Sequence, residues 1–141
     1  PKALKFMVAE VVSNAAGDSY CTAHNAQNAA TIGETPAEKV RALWQFQTSP
    51  LFTPAERAAL SLALAAGACP PSVTDEHFVE LKKHYSEDAI VEIVAVIALL
   101  GWLNRWCQTL APEIEASALA FAEQHLAPSG WTPGVHAGHG A

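Results

Sequence analysis

Hydrophobic residues recur at the spacing of one helix face along most of the chain. In the segment 2–13, apolar side chains stand at positions 4, 7, 8, 11 and 12, which is the repeat of an amphipathic helix. The loop that follows ends in Gly17, a residue that suits the left-handed backbone found after helices. No segment alternates apolar and polar residues with the period of two that is typical of a strand. We therefore predict an all-α domain.

Helix-start signals divide the rest of the chain into six further helices. Two Thr-Pro-Ala-Glu segments, beginning at Thr35 and Thr53, read as capping boxes with proline at the first helical position. The further helices are predicted over 18–33, 35–47, 53–67, 74–85, 86–110 and 112–126. We expect residues 1–127 to form one bundle of about seven helices, with 128–141 as a C-terminal tail.

The run from Ala89 to Leu103 is the one long apolar stretch of the chain. It is apolar nearly all round, so we predict that it forms the central core helix. It is too short to span a bilayer and is interrupted by Glu92, so no membrane association is expected. A lone buried carboxylate is costly, and we expect Glu92 to face a partner, water or a subunit interface.

The composition is typical of a chain that buries part of its surface against other copies of itself. Half of the 141 residues are apolar and only 16% are charged, so we expect a homo-oligomer. The formal net charge is −6, and the eight basic residues are scattered instead of forming a patch. This distribution argues against nucleic acid as the main partner.

The cysteine pattern is typical of a reducing compartment. Three cysteines, an odd number, stand far apart at positions 21, 69 and 107. No disulfide framework is implied, and we predict a cytoplasmic protein. The first residues also lack the basic, apolar, small order of a signal peptide. Because the chain starts at Pro1, we expect that further residues precede it.

The segment Asp18-Ser19-Tyr20-Cys21-Thr22-Ala23-His24 carries the candidate chemistry. With Asp18 or Ser19 as the N-cap, Cys21 falls in the first helical turn, where free amides and the helix dipole stabilise a thiolate. His24 lies on the same face three residues later, so its imidazole is within reach of the sulfur. A cysteine beside a base is the pattern of an activated nucleophile. A packed, unreactive cysteine explains the same residues equally well.

The other candidate ligands are expected to be structural or solvated. Two residues are too few for a zinc site, so we predict neither a metal nor a cofactor. Four of the other five histidines are interpreted as solvated: His77, His84, His136 and His139. Cys69 and Cys107 are interpreted as packed or free thiols.

The motif and its surroundings resemble the carboxymuconolactone decarboxylase and AhpD-like alkylhydroperoxidase superfamily, most closely its peroxidase-related branch. The resemblance covers essentially the whole chain and is carried by four segments: 19–24, 51–60, 86–94 and 130–134. It implies an all-α fold assembled as trimers or hexamers. It also implies that redox members reduce peroxides or disulfides with a Cys-x-x-Cys pair, helped by a histidine and an upstream glutamate.

The family motif is only partly present here. Cys21 matches the second cysteine, which attacks the peroxide, whereas the first cysteine falls on Asp18. A two-cysteine cycle therefore cannot run inside the motif. A one-cysteine route is left, in which Cys21 forms a sulfenic acid and an external thiol restores it. The Asp18 carboxylate would oppose thiolate formation by charge repulsion.

The two other family positions are also replaced. The usual histidine falls on Asn25, with His24 one place earlier, and the upstream glutamate falls on Phe6. Glu10 lies one helical turn after Phe6 and is the candidate to take over as a proton relay.

Three hypotheses follow for the function. The first is a thiol-dependent peroxidase acting on a small peroxide, with Cys21 as nucleophile, His24 as acid–base partner and Glu10 as proton relay. The second is a cofactor-free lyase or isomerase that moves protons on a small organic acid, bound by Arg57 or Arg105. The third is an oligomeric scaffold without catalysis.

Overall fold

The computed structural model describes residues 1–138 and confirms the all-α prediction, with no strand in that range. The α-helices are α1 (Lys2–Ala15), α2 (Ser19–Thr31), α3 (Ala37–Arg41), α4 (Pro54–Gly67), α5 (Asp75–Leu81), α6 (Glu87–Leu110) and α7 (Ala116–His125). Three short 3-10 turns complete the secondary structure: Leu43–Gln45, Ala127–Ser129 and Gly134–His136.

The two Thr-Pro-Ala-Glu segments fold differently. At the start of α4, Thr53 Oγ1 accepts from the Glu56 backbone N–H at 3.2 Å, and Glu56 Oε2 accepts from the Thr53 N–H at 2.8 Å, which is the predicted capping box. The capping box predicted at Thr35 is wrong, because α3 begins without a side-chain cap. The Thr35 N–H instead donates to the Ala29 carbonyl at 2.9 Å, which ties this segment to the end of α2.

Helix α1 forms the centre of the main core. Met7, Val8, Val11 and Val12 are each at most 1% exposed, and α1 packs against α2, α4 and α6. Helix α4 approaches it closely at Gly67, where a Cβ atom would lie 2.8 Å from the Val12 carbonyl oxygen. These contacts fix α1 as the element around which the other helices are arranged.

A second, smaller core lies between α2 and α7. It is built largely from alanines, which let two helices approach closely: Ala23, Ala26, Ala29, Ala118 and Ala122 are all fully buried. The C-terminal residues join this core, since Leu126 is buried and Trp131 packs against it. The two cores share α2, so this helix positions residues toward both.

The prediction that α6 is the central core helix is wrong. One side of α6 packs on α1, while large apolar side chains on the rest of it are exposed: Val91, Val94, Leu99, Trp102, Trp106 and Leu110. We call this set the α6 face. Glu92 is exposed as well, and its carboxylate forms an ion pair with Lys5 at 3.1 Å, in agreement with the expectation that it faces a partner or water.

Helix α6 is also longer than the apolar run that marks it in the sequence. Its 24 residues, with a mean hydropathy of 1.7 over 18 of them, are enough to cross a membrane by length and composition alone, and 28% of that stretch is buried here. The core helices of soluble proteins meet the same two criteria. The cytoplasmic location therefore stays a prediction.

The C-terminal segment folds back onto the start of α2. The Trp131 indole N–H donates to the Ser19 carbonyl at 3.3 Å. His136 is 1% exposed, and its Nδ1 lies 2.9 Å from the Pro112 carbonyl oxygen. The prediction of a solvated His136 is thus wrong, because the chain turns back and buries it. His139 lies outside the described residues.

Candidate functional site

The start of α2 holds Cys21 as the sequence predicts. Gly17 adopts a φ of 74°, which lets the chain turn sharply out of α1. Asp18 is the N-cap, and its Oδ1 accepts from the Cys21 backbone N–H at 3.1 Å. Cys21 therefore lies in the first turn of α2, with a fully buried carboxylate beside it.

A second thiol, Cys107, lies directly opposite. Its Sγ is 3.8 Å from the Cys21 Sγ, and both residues are 6% exposed. Cys107 comes from the last turn of α6, 86 residues away in sequence. Only the packing of α6 across α2 brings the two together, so the local sequence gives no signal for the pair.

Both thiols line an open cavity of about 570 Å³ between α1, α2 and α6, which we call the cysteine cavity. Its wall is mostly apolar, with Phe6 and Leu103 among the lining side chains. His24 and Asn25 also line it, so they share this space with Cys21 of the same helix. Lys2 and Lys5 are the only lysine or arginine residues that line it among the described residues.

The environment of Cys21 holds its thiol neutral. Burial, followed by the neighbouring Asp18 carboxylate and the Cys107 sulfur, raises the pKa of Cys21 far above its ordinary value. Burial also raises the pKa of Cys107, although the hydrogen bond from the Cys21 thiol works in the opposite direction. The thiolate-stabilising effect expected of a helix start is therefore outweighed, and the predicted repulsion by Asp18 contributes to this.

His24 does not pair with Cys21. Its Nδ1 lies 2.9 Å from the Tyr20 carbonyl oxygen, and its Nε2 lies 2.7 Å from Glu115 Oε2. Since both neighbouring atoms are acceptors, they are satisfied together only when both ring nitrogens carry protons. The structure thus places the His24 ring on the cavity wall but engages its nitrogens elsewhere.

Glu115 links His24 to Tyr20, and these three side chains form what we call the polar trio. The Tyr20 hydroxyl donates to Glu115 Oε1 at 2.9 Å, and the Tyr20 and His24 rings stack at 4.3 Å. Burial and the hydrogen bond to Glu115 raise the pKa of Tyr20 to about 12. Burial opposes ionisation of Glu115, but hydrogen bonds from its own backbone, Tyr20 and His24 outweigh this and lower its pKa. Glu115 is the N-cap residue of α7, and no pattern in the sequence marks it as part of the site.

Glu10 is placed apart from the cysteine cavity, whose wall does not include it. It is fully buried in α1, and its carboxyl oxygens have no hydrogen-bond partner within residues 1–138. Burial therefore raises the pKa of Glu10 well above the ordinary value. The role of Glu10 as a proton relay stays a prediction without support from this placement.

The two arginines considered for binding an acidic substrate are also away from Cys21. Arg57 donates to the backbone carbonyls of Phe46 and Ser49, at 3.0 and 2.7 Å, and so anchors a loop. Arg105 lines a different cavity, next to Asn104. Neither lines the cysteine cavity.

A metal assignment does not follow from the thiol pair. Asp18, Cys21 and Cys107 offer three ligand atoms within 4.8 Å of one another. Structural zinc sites take four protein ligands, and the part of the chain described here adds no fourth donor to this group. His136 Nε2 lies 3.6 Å from Asp18 Oδ1, which is beyond hydrogen-bond distance, and is not part of this group.

Solved structures similar to this chain include the debrominase Bmp8 in its apo form, with 42% sequence identity and a TM-score of 0.82 over 88% of this chain and 66% of that one. A cysteine-to-alanine variant of the same debrominase, in complex with 2,3,4-tribromopyrrole, gives a TM-score of 0.83 at the same identity and coverage. The match shows a shared all-helical fold.

Two curated relatives are similar over shorter stretches. The uncharacterized protein YnjA of Escherichia coli (strain K12) is 38% identical over 63 residues, 45% of this chain and 35% of that protein. The uncharacterized protein YdfG of Bacillus subtilis (strain 168) is 28% identical over 95 residues, 67% of this chain and 64% of that protein. The chain thus spans less than two thirds of either relative. No protein-family profile matches it, and membership in the predicted superfamily stays a prediction.

Proposed function

We propose that this protein is a cysteine-dependent oxidoreductase of the peroxidase type, in which Cys21 attacks a small apolar substrate. The observation that carries the proposal is a pair of buried thiols in the wall of an open apolar cavity of about 570 Å³. A volume of roughly 300–1,000 Å³ is usual for a small-molecule site. The 42% identity to a debrominase supports cysteine-dependent chemistry.

The cavity wall favours an organic hydroperoxide over hydrogen peroxide. Its lining is dominated by α1, α2 and α6 side chains that cannot hydrogen-bond, such as Phe6, Leu100 and Leu103. An aryl or alkyl group would gain free energy by leaving water for such a surface, whereas hydrogen peroxide would gain none. The substrate carbon skeleton is thus expected to decide affinity.

Proton transfer must accompany the attack, because the Cys21 thiol is neutral at rest. The Cys21 thiolate attacks the terminal peroxide oxygen, the O–O bond breaks, and Cys21 becomes a sulfenic acid. The proton that the Cys21 thiol loses ends on the leaving alkoxide, and we assign His24, on the same cavity wall, to relay it once one of its ring nitrogens leaves its present acceptor.

Reductive dehalogenation is the second candidate, and the structural likeness to Bmp8 favours it. In this reaction the thiolate attacks the halogen atom of a halogenated ring. The carbon–halogen bond breaks, the carbon takes up a proton, and a sulfenyl halide forms on Cys21. The apolar wall suits a flat halogenated ring as well as it suits an organic hydroperoxide.

The test compares the wild type with Cys21→Ser on two substrates, cumene hydroperoxide and 2,3,4-tribromopyrrole, with a dithiol as electron donor. We expect one substrate to be consumed by the wild type, by loss of peroxide or release of bromide, and the variant to fall to the background rate. Cys69→Ser is the matched control, because Cys69 is exposed and does not line the cysteine cavity.

Three outcomes would overturn the proposal. Retained consumption in Cys21→Ser would show that the cysteine is incidental. Turnover of a lactone or keto acid that survives Cys21→Ser but is lost in His24→Ala would establish the lyase hypothesis. Inactivity of the wild type on all these substrates would favour the scaffold.

A further inference from the structure

Cys107 gives Cys21 a thiol partner in place of the first cysteine of the motif, where this chain has Asp18. The two Sγ atoms are 3.8 Å apart, both residues are buried, and both line the cysteine cavity. We propose that Cys107 is the resolving thiol of the catalytic cycle: once the substrate has oxidised Cys21, Cys107 displaces the leaving group and forms a Cys21–Cys107 disulfide. This inference rests on the proposed function of Cys21.

The geometry allows the bond with a small movement. A disulfide needs an S–S distance of about 2.05 Å, so the two sulfurs must approach by a little under 2 Å. Cys21 lies in the first turn of α2 and Cys107 in the last turn of α6. The cavity beside them leaves room for side-chain rotation, and helix ends adjust more easily than helix centres.

The electrons and atoms balance with the two thiols as the only reductant. With a hydroperoxide, Cys21 becomes a sulfenic acid and an alcohol leaves; the Cys107 thiolate then attacks the Cys21 sulfur and water leaves. With a halogenated ring, the same attack on the sulfenyl halide releases halide. Each route takes two electrons from the thiol pair, and an external dithiol returns them by thiol–disulfide exchange.

Burial explains why the resolving group should be internal. Both cysteines are 6% exposed, so a bulky external thiol has poor access to oxidised Cys21. A neighbouring thiol traps the oxidised sulfur before a second oxidant molecule can drive it to the irreversible sulfinic acid. Cys69 cannot serve, because it is exposed and lines a different cavity.

The experiment is a single turnover of the full chain with one equivalent of substrate and no external thiol, followed by intact mass and peptide mapping. In the wild type and in Cys69→Ser we expect loss of two hydrogen atoms and a Cys21–Cys107 cross-link. In Cys107→Ser the cross-link should be absent, and Cys21 should accumulate as a sulfenic acid that dimedone traps. Multiple turnover in Cys107→Ser should fall well below the wild type.

The outcomes separate this inference from the proposed function. If the wild type consumes substrate but yields a stable Cys21 sulfenic acid or a cross-link to another cysteine, the resolving role of Cys107 is wrong and the peroxidase proposal survives. If a dimedone adduct forms on Cys107 in Cys21→Ser at the wild-type rate, the order of attack proposed here is wrong. If no substrate reacts, the proposed function fails and the resolving role with it.

A second measurement does not depend on a folded variant. Treatment of the wild type with diamide, a small two-electron oxidant of thiol pairs, should also produce the Cys21–Cys107 cross-link. Its absence, with Cys69 as the only thiol modified, would show that the pair cannot close and would overturn the inference.

Discussion

Helices α1 and α6 are both strongly apolar, yet they are buried to very different degrees. In α1, eight of the 14 residues are buried, and one of them is the acidic residue Glu10. In α6, five of the 24 residues are buried, although its mean hydropathy is high. The cause is the placement of the neighbours: α2, α4 and α6 pack around α1, whereas the helices that contact α6 all lie on one side of it. Packing partners, and not hydropathy alone, decide where a helix lies.

The largest expected effect concerns the unequal packing of the two helices. Met7→Ala in α1 should lower the free energy of unfolding by about 2–5 kcal/mol, because it opens a cavity in a fully buried core. Val91→Ala in α6 should change it by less than about 0.5 kcal/mol, since Val91 is 67% exposed. Urea unfolding at one protein concentration measures both. Similar losses for the two variants would mean that α6 is covered in solution.

The two helices also differ in the environment that they give to a glutamate side chain, which is buried in α1 and exposed in α6. Below the ordinary glutamate pKa, folded and unfolded chains both carry a protonated Glu10. As the pH rises the unfolded chain ionises first, because burial raises the pKa of Glu10 in the folded chain, and stability is lost. Glu10→Gln should therefore stabilise the fold near neutral pH. The gain is about 1.4 kcal/mol for each pH unit above the ordinary glutamate pKa at which Glu10 is still protonated in the folded chain.

Glu92→Gln in α6 is the matched control for this change. Glu92 forms an exposed ion pair with Lys5, so its loss should cost less than about 1 kcal/mol. Thermal unfolding between pH 4 and pH 8 distinguishes the two variants. A stabilisation by Glu10→Gln that persists unchanged at pH 4 would contradict the assignment of a protonated carboxyl.

The starts of α2 and α6 provide a third contrast. Asp18→Asn keeps a good N-cap but removes the buried charge that helps to raise the pKa of Cys21. A decrease of that pKa by one unit raises the thiolate population about tenfold. Alkylation of Cys21 by iodoacetamide at pH 8 should therefore become about tenfold faster for each unit by which the pKa falls. Asp88→Asn, in the exposed first turn of α6, should leave the rate unchanged. An unchanged rate in Asp18→Asn would show that burial alone holds the thiol neutral.

The smallest effect on unfolding is expected at the α6 face. Self-association stays a prediction from the sequence, and this face is the surface it would bury. Replacing Trp102 and Trp106 by Gln should lower the mass seen in sedimentation velocity, with little change in helicity. Val79→Gln, which alters a 60% exposed side chain on α5, should keep the mass of the wild type. A wild type that sediments as a monomer would contradict the prediction.

Much of the fold could be predicted because its signals are local. The capping box at Thr53 and the N-cap at Asp18 involve residues three apart, and both form as the sequence indicates. The error at Thr35 arose because a long-range bond to Ala29 replaced the local cap. The error on α6 has a similar origin, since periodicity indicates a helix and its apolar face but not on which sides other helices pack.

The candidate site could be predicted only in part, for the same physical reason. Cys21 and His24 were found because they share one helical turn. Cys107 and Glu115 reach the site from α6 and α7, and no local pattern marks a contact across that distance. As a result, the Nε2 atom of His24, which the sequence pairs with Cys21, contacts the Glu115 carboxylate instead.

The returning C-terminal segment has a consequence for the electrostatics of the thiols. Trp131 and His136 cover the start of α2 and exclude water from Asp18, which keeps the local dielectric constant low. Shortening the chain at this end would hydrate that pocket and ease ionisation of Cys21. The C-terminal segment thus lowers the nucleophilicity of Cys21, a residue more than a hundred positions earlier in the chain.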